Sequence, residues 1–339
     1  MGPSAGINRT LHPEHRCPDS DDTPRSGITL GRYGVTALRR YGVRPSKPAG
    51  SGKTFERQNS PTLERRNVLH VQRHNDVGVA FHNIETAWRH NIPTFCRCNG
   101  AMPKIVTVAA RKGGVGKTTI AYELAWLLGA PLVDLEFDDG SATRIWGYRH
   151  EARLRAPLLD AIERGTVPRL LTGYHKPDLL PCHPDFQLNQ PKPDTMADTL
   201  TAWARAWDHD YVVVDTHGGG SPSGDGAIAA ADLVIVPTPL KTKDLNATEG
   251  MVNEMPDYPL VLVPSMVPRV PGAAEIRRIG SIVDGTPITV AEPIPYVRGI
   301  ETRKKRVAIT SEDPTPKANV EFVAAMHSLA SYVKAQDRG

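Results

Sequence analysis

Seven short apolar runs, continuous rather than alternating, set the tightest limit on how this chain can fold. They are IVTVAA at 105–110, PLVDL at 131–135, DLLPC at 178–182, YVVVD at 211–215, LVIVP at 233–237, LVLVP at 260–264 and PITVA at 287–291. A strand with one wet face alternates apolar and polar residues, whereas a strand apolar throughout is covered on both faces, as in a parallel sheet between helices. Helical spacing fills the gaps. Ile120, Leu124, Leu127 and Leu128 share one face of the segment Thr118 to Leu128, and Leu200, Trp203 and Trp207 recur at three and four in the segment Met196 to Trp207. The alternation predicts an α/β fold, a doubly wound and mostly parallel sheet of about seven strands with helices on both faces. Phe322, Met326, Leu329 and Val333, spaced by four, three and four, predict a last helix that faces the core.

Charge divides the chain at Met102. Residues 1–101 hold 13 Arg and 2 Lys against 8 acids, a net +7, while 102–339 hold 26 bases against 29 acids, a net −3. The first part shows no sustained period and is broken by PSKPAGSGKT, so it is expected to be a disordered basic extension. Its Arg bias suits translation of GC-rich DNA better than a selected nucleic-acid arm, and the alternative start at Met102 is the favoured expectation. Residues 102–339 are expected to form the functional domain. No window approaches the roughly 18 uninterrupted apolar residues of a membrane span, and an apolar leader core is lacking, which points to the cytoplasm. His90, Cys96 and Cys98 are too few for a closed four-ligand metal site, so free thiols are expected there.

Directly after the first apolar run come Arg111 and KGGVGKTT, Lys112 to Thr119, and then the first helical stretch. A Gly-rich turn between strand and helix points successive backbone N–H groups at one spot, and the helix N-terminus adds positive potential, so the turn cradles phosphate. The predicted nucleotide-binding set is Lys112, Gly113, Gly114, Val115, Gly116, Lys117, Thr118 and Thr119. Lys117 is expected to reach the β and γ phosphates, and Thr118 to ligate Mg2+. Asp215 closes a run of three valines, where an unpaired carboxylate is costly unless it meets a cation, so it is the second expected Mg2+ residue. A look-alike, GSGKT at 50–54, has Lys47 where its first Gly belongs and no apolar strand before it. It is not expected to bind phosphate.

KGGVGKTT resembles the deviant Walker A motif of the ParA/MinD family of P-loop ATPases, with Arg111 in place of the usual first glycine and Lys112 as a second lysine. LVDLEFDDGSAT at 132–143 resembles that family's second-strand motif, VVVDTHGGG at 212–220 its Walker B, and ADLVIVPTPLKTKDLNATEG at 231–250 the strand and helix that follow. The likeness covers essentially 102–335. Two departures stand out. The family's D-x-D-P-Q-G-N becomes Asp134, Leu135, Glu136, Phe137, Asp138, Asp139, Gly140, and its D-x-P-P becomes Asp215, Thr216, His217, Gly218. The resemblance makes Asp134, Glu136 and Asp138 candidate catalytic carboxylates, with Glu136 first by alignment for orienting the attacking water and Asp138 second. Asp138 and Asp139 read alternatively as solvated turn residues.

What the resemblance implies is an ATPase with ATP and Mg2+ as cofactors, slow and stimulated by a partner. Lys112 and Lys117 join the catalytic set, Lys112 by crossing to the other subunit's ATP in an ATP-dependent homodimer. ParA-type dimers bind DNA nonspecifically and answer to a ParB-like centromere-binding adaptor, whereas MinD-type ones use the membrane. This chain ends in KAQDRG without a basic amphipathic tip, which argues against a membrane partner. Arg298, Arg303, Lys304, Lys305 and Arg306 are candidate DNA-binding residues, a solvated face being the plainer alternative. The reading is a nucleoid-associated partition ATPase of plasmid or chromosome; the alternative is an ATP-dependent scaffolding, cargo-positioning or regulatory protein with little hydrolysis of its own.

Overall fold

The computed structural model describes residues 102–138, 141–149 and 157–336. The expectations for residues 1–101, including the GSGKT look-alike and the His90, Cys96 and Cys98 group, lie outside the described residues, as do Asp139 and Gly140.

All seven apolar runs form strands: β1 (Lys104–Val108), β2 (Leu132–Asp134), β3 (Leu179–Leu180), β4 (Tyr211–Asp215), β5 (Leu233–Pro239), β6 (Leu260–Ser265) and β7 (Thr289–Val290). They make one sheet in the order β3-β2-β4-β1-β5-β6-β7, parallel at every pairing. The two edge strands are only two residues long, shorter than their apolar runs. On the side away from β2, β3 meets only an isolated antiparallel bridge between Leu171 and Leu179, and Pro181 directly after β3 has no N–H to extend the ladder.

Burial alternates across the sheet as a doubly covered strand requires. In β1, Val106 and Val108 join the core under α1 (Lys117–Leu128) and α8 (Val320–Ala335), while Ile105 joins the opposite core with Leu200 and Trp203. In β4, Val213 takes the first side and Val212 and Val214 the second. Phe322, Met326, Leu329 and Val333 are all buried, as their spacing predicts. The remaining helices are α2 (Ala142–Trp146), α3 (Pro157–Arg164), α4 (Pro193–Ala206), α5 (Pro222–Ala229), α6 (Thr242–Glu254) and α7 (Ala273–Val283). Helix α4 starts three residues before Met196, with Pro193 in its first turn, where a missing N–H costs nothing. Among the described residues no helix is long and apolar enough to cross a membrane.

The register positions the site. Val108, the last residue of β1, lies beside Asp215, the last of β4, and Asp134 at the end of β2 lies on the other side of Asp215. Three strand ends carrying the glycine loop and two carboxylates thus finish at one level.

Trp203 is fully buried and its indole Nε1 donates to the Thr166 carbonyl at 2.9 Å. Trp203→Ala should lower stability by about 3–5 kcal/mol, read as a shifted urea midpoint.

Candidate active site

The loop leaving β1 reaches α1 through two glycines in the left-handed region, Gly114 at φ 72° and Gly116 at φ 93°. Side-chain-bearing residues adopt such angles only at a cost, so the loop's shape explains its glycines. Nothing lies within 4 Å of where a Cβ on Gly113, Gly114 or Gly116 would sit, which leaves the loop backbone open to a ligand. Val115 between them is buried, and its carbonyl accepts from the Ser265 hydroxyl at the end of β6 at 2.9 Å, pinning the loop to the sheet.

The loop opens on a cavity of about 430 Å3, within the usual range for small-molecule sites. Gly113, Gly114, Gly116, Lys117, Thr118, Thr119, Glu136 and Asp138 line it, together with residues no motif announced: Ser265, Met266, Ile294, Tyr296 and Ile300. Only the rule that ligands gather beyond the carboxyl ends of parallel strands could have pointed to the segments after β6 and β7.

Asp215 is completely buried, and neither carboxylate oxygen receives a hydrogen bond of normal geometry. Burial pushes its pKa well above the ordinary carboxylate value and neighbouring Asp134 adds to this, while Lys117 and the Thr118 hydroxyl pull it down. Lys117 is itself 5% exposed. An orphaned buried carboxylate beside a lysine and a threonine hydroxyl fits a hard cation, which oxygen ligands would satisfy.

Asp134, the first of the three candidate acids, is engaged by the chain around it. Its carboxylate accepts from the Thr143 N–H at 2.7 Å, the Thr143 hydroxyl at 2.6 Å and the Glu136 N–H at 3.0 Å. Burial lifts its pKa to about 6, with those donors opposing the shift. It ties down both ends of the loop between β2 and α2. Glu136 and Asp138 face the cavity instead, Glu136 largely covered and Asp138 largely exposed.

Glu136 has a partner that sequence reasoning passed over. His217 Nδ1 lies 2.5 Å from Glu136 Oε1 and 3.9 Å from Asp138 Oδ2, and the imidazole stacks on Phe137 with centroids 4.1 Å apart and planes 16° apart. One ligand atom from each of Glu136, Asp138 and His217 could meet a metal, since all lie within 4.8 Å of one another. His217 Nδ1 already bonds Glu136, however, and Asp215 is the carboxylate whose oxygens stand unpaired. The signal for His217 was its place in the altered Walker B.

The two basic residues at the loop entrance reach α6. Lys112 Nζ bonds Asp244 Oδ1, and Arg111 pairs with Glu254 at 2.6 Å. The five expected DNA-binding residues separate into two groups. Arg298, Lys304, Lys305 and Arg306 are exposed. Arg303 faces inward: its guanidinium donates to the Lys305 and Val307 carbonyls and pairs with Glu312 at 3.1 Å, so its charge is internally spent. Lys305 shares Glu312 at 2.7 Å.

A glycine cradle fed by the central strand of a parallel sheet, with a buried acid on the neighbouring strand, defines the P-loop class of nucleotide-binding folds. No family model matches the sequence. Over 152 residues, 43% of this chain, the sequence is 32% identical to the chromosome-partitioning ATPase Soj of Thermus thermophilus, and the match spans 59% of that protein's length. Among solved structures, the cell division ATPase MinD of Pyrococcus furiosus superposes with a TM-score of 0.54 at 18% identity, covering 68% of this chain and 100% of that one. A putative plasmid partition protein of Borrelia burgdorferi bound to AMPPNP gives 0.51 at 18%, covering 66% and 98%. McdA of Cyanothece in its ATP complex gives 0.52 at 18%, covering 68% and 97%. With the loop Lys112 to Thr119, these likenesses show a P-loop NTPase-like fold.

A buried carboxylate that accepts no hydrogen bond of normal geometry and has only Lys117 to offset its charge opposes folding when no metal ion is present. Asp215→Asn should therefore stabilise the chain in EDTA by about 1–3 kcal/mol while removing the stabilisation that added divalent cation confers on the wild type. Thermal melts of both chains with and without Mg2+ measure this.

Proposed function

We propose that this chain is an ATP-dependent dimerising switch that partitions plasmid or chromosomal DNA. The observation that carries the nucleotide part is Asp215, sealed at a strand end with both oxygens unpaired beside Lys117 and Thr118, at the mouth of an open glycine loop. The Borrelia and Cyanothece neighbours, bound to AMPPNP and ATP, agree with that reading.

In this mechanism the loop amides from Gly113 to Thr119 bind the phosphates, and Lys117 places a fixed positive charge at the β and γ positions. Thr118 and Asp215 would hold Mg2+, which when bound supplies charge neutralisation at the phosphates. Phosphoryl transfer asks mainly for positioning and charge stabilisation. Glu136, lining the cavity opposite the loop, orients the attacking water. Lys112 is tied to Asp244 in the single chain; in the dimer it exchanges that carboxylate for the other subunit's nucleotide. ATP binding thereby becomes a change of assembly, and the output is partner affinity rather than a small-molecule product. Arg298, Lys304 and Arg306 supply an exposed cationic surface for DNA phosphates, and a ParB-like adaptor stimulates hydrolysis and release. The Thermus relative, named for chromosome partitioning, supports this choice of cargo. The protein then works on the nucleoid. Residues 102–339 make up the working domain in this proposal, with 1–101 dispensable.

Lys117→Ala should weaken ATP binding about 10- to 150-fold, the value of one charge-assisted hydrogen bond. Fluorescent-nucleotide titration reads it, and unchanged affinity rejects the site. With a nonhydrolysable ATP analogue, light scattering should show dimers, and Lys112→Ala should abolish hydrolysis while sparing ATP binding. Replacing Arg298, Lys304 and Arg306 by Ala should flatten the salt dependence of DNA binding, by about one unit of log–log slope for every phosphate that these side chains neutralise. Wild-type DNA binding by the triple variant removes these residues from the interface.

A further inference from the structure

The altered Walker B puts a histidine where the family pattern D-x-P-P has its first proline, and the fold carries that side chain across to the candidate water-orienting acid. We propose that His217 is a positioning residue for ATP hydrolysis, its imidazole holding the Glu136 carboxylate in the orientation that aligns the attacking water. The inference rests on the ATPase reading above and on the role given there to Glu136.

A carboxylate offers only acceptors, so the contact of 2.5 Å between His217 Nδ1 and Glu136 Oε1 requires hydrogen on Nδ1, and the imidazole donates. The ring is fixed on one face by Phe137, stacked at 4.1 Å. Its backbone is fixed on both sides. The Thr216 hydroxyl donates to the Val108 carbonyl at 2.9 Å, and at Gly218 a Cβ would stand 2.9 Å from the Gly113 Cα, so the peptide after His217 lies hard against the glycine loop. Glu136 is held from its own side by the bond from its N–H to the buried Asp134. The long Glu136 side chain, with three free torsions, is therefore anchored at its backbone and at its tip, and the same carboxylate oxygen receives the Asp138 N–H at 3.4 Å. His217 and Glu136 are both largely covered, 21% and 14% exposed, which shields their bond from competing water. His217 is not among the residues lining the cavity; Glu136 is. That arrangement separates a group that holds from a group that acts.

The test uses steady-state hydrolysis by the full chain with ATP and Mg2+, with and without DNA, and melting temperatures alongside. His217→Ala should lower kcat about ten- to a hundredfold, the usual consequence of a misplaced catalytic group, with KM for ATP and the melting temperature unchanged. His217→Phe keeps the stack on Phe137 and loses the donor, and should fall equally, so the question stays open to refutation if the alanine variant does not fold. His217→Asn, whose amide nitrogen can take the place of Nδ1, should recover most of the rate. In a Glu136→Gln background His217→Ala should cost nothing further, because the two act as one unit. Wild-type kcat in the His217→Phe chain, or an equal loss with and without Glu136, overturns the inference. A wild-type chain that never hydrolyses ATP overturns the ATPase reading itself, and the two failures are distinguished because the second is seen before any substitution is made.

Discussion

Everything in the site is arranged around a carboxylate that the fold leaves without a donor. Asp215 is placed by the ladder: β4 lies between β1 and β2, so its last residue is covered from both sides and from both faces of the sheet. Burying a charge in such a place is unfavourable unless something of opposite sign arrives or is already there. Lys117 from the glycine loop is already there, and it too is buried, so each charge justifies the other. The strand ends of a parallel sheet are where this arrangement is possible, because loops there can change without disturbing the ladder below.

Much of the architecture was visible in the chain itself, and the reason is that its strands are buried on both faces. A continuous apolar run such as YVVVD has no polar side to disguise it, and all seven runs became strands. Boundaries were harder: β3 and β7 stop after two residues, β3 directly before Pro181, a limit that apolarity does not report. The glycine loop was legible for the same reason that its glycines are there, since the backbone angles demand them. Arg303 shows the opposite case. A run of bases in sequence says nothing about direction, and only the turn through 303–307, with Glu312 folded over it, decides that this one points inward.

Asp134, Glu136 and Asp138 illustrate how three acids within five positions come to differ. Asp134 still belongs to the strand and is consumed by Thr143 and the chain it supports. Asp138 has left the sheet and meets solvent. Glu136, between them, is near enough to the strand to be covered and far enough from it to face the cavity. Spacing alone could name them but not rank them, because the ranking depends on Thr143, nine positions along the chain, and His217, eighty-one positions along. The cavity wall contributed by Ser265, Met266 and Tyr296 was hidden for a similar reason, being assembled from loops that carry no repeated pattern.

Gly218 has a consequence for how a bound ligand is felt at a distance. A Cβ there would sit 2.9 Å from the Gly113 Cα and 3.1 Å from Lys117 Nζ, so backbone meets loop with no side chain between them to yield. Flexible side chains absorb small displacements by changing rotamer; two abutting main chains have no such slack. The cradle and the 217–220 segment are therefore close enough that a side chain at position 218 would force one of them to move. The glycine is small so that the contact can be stiff.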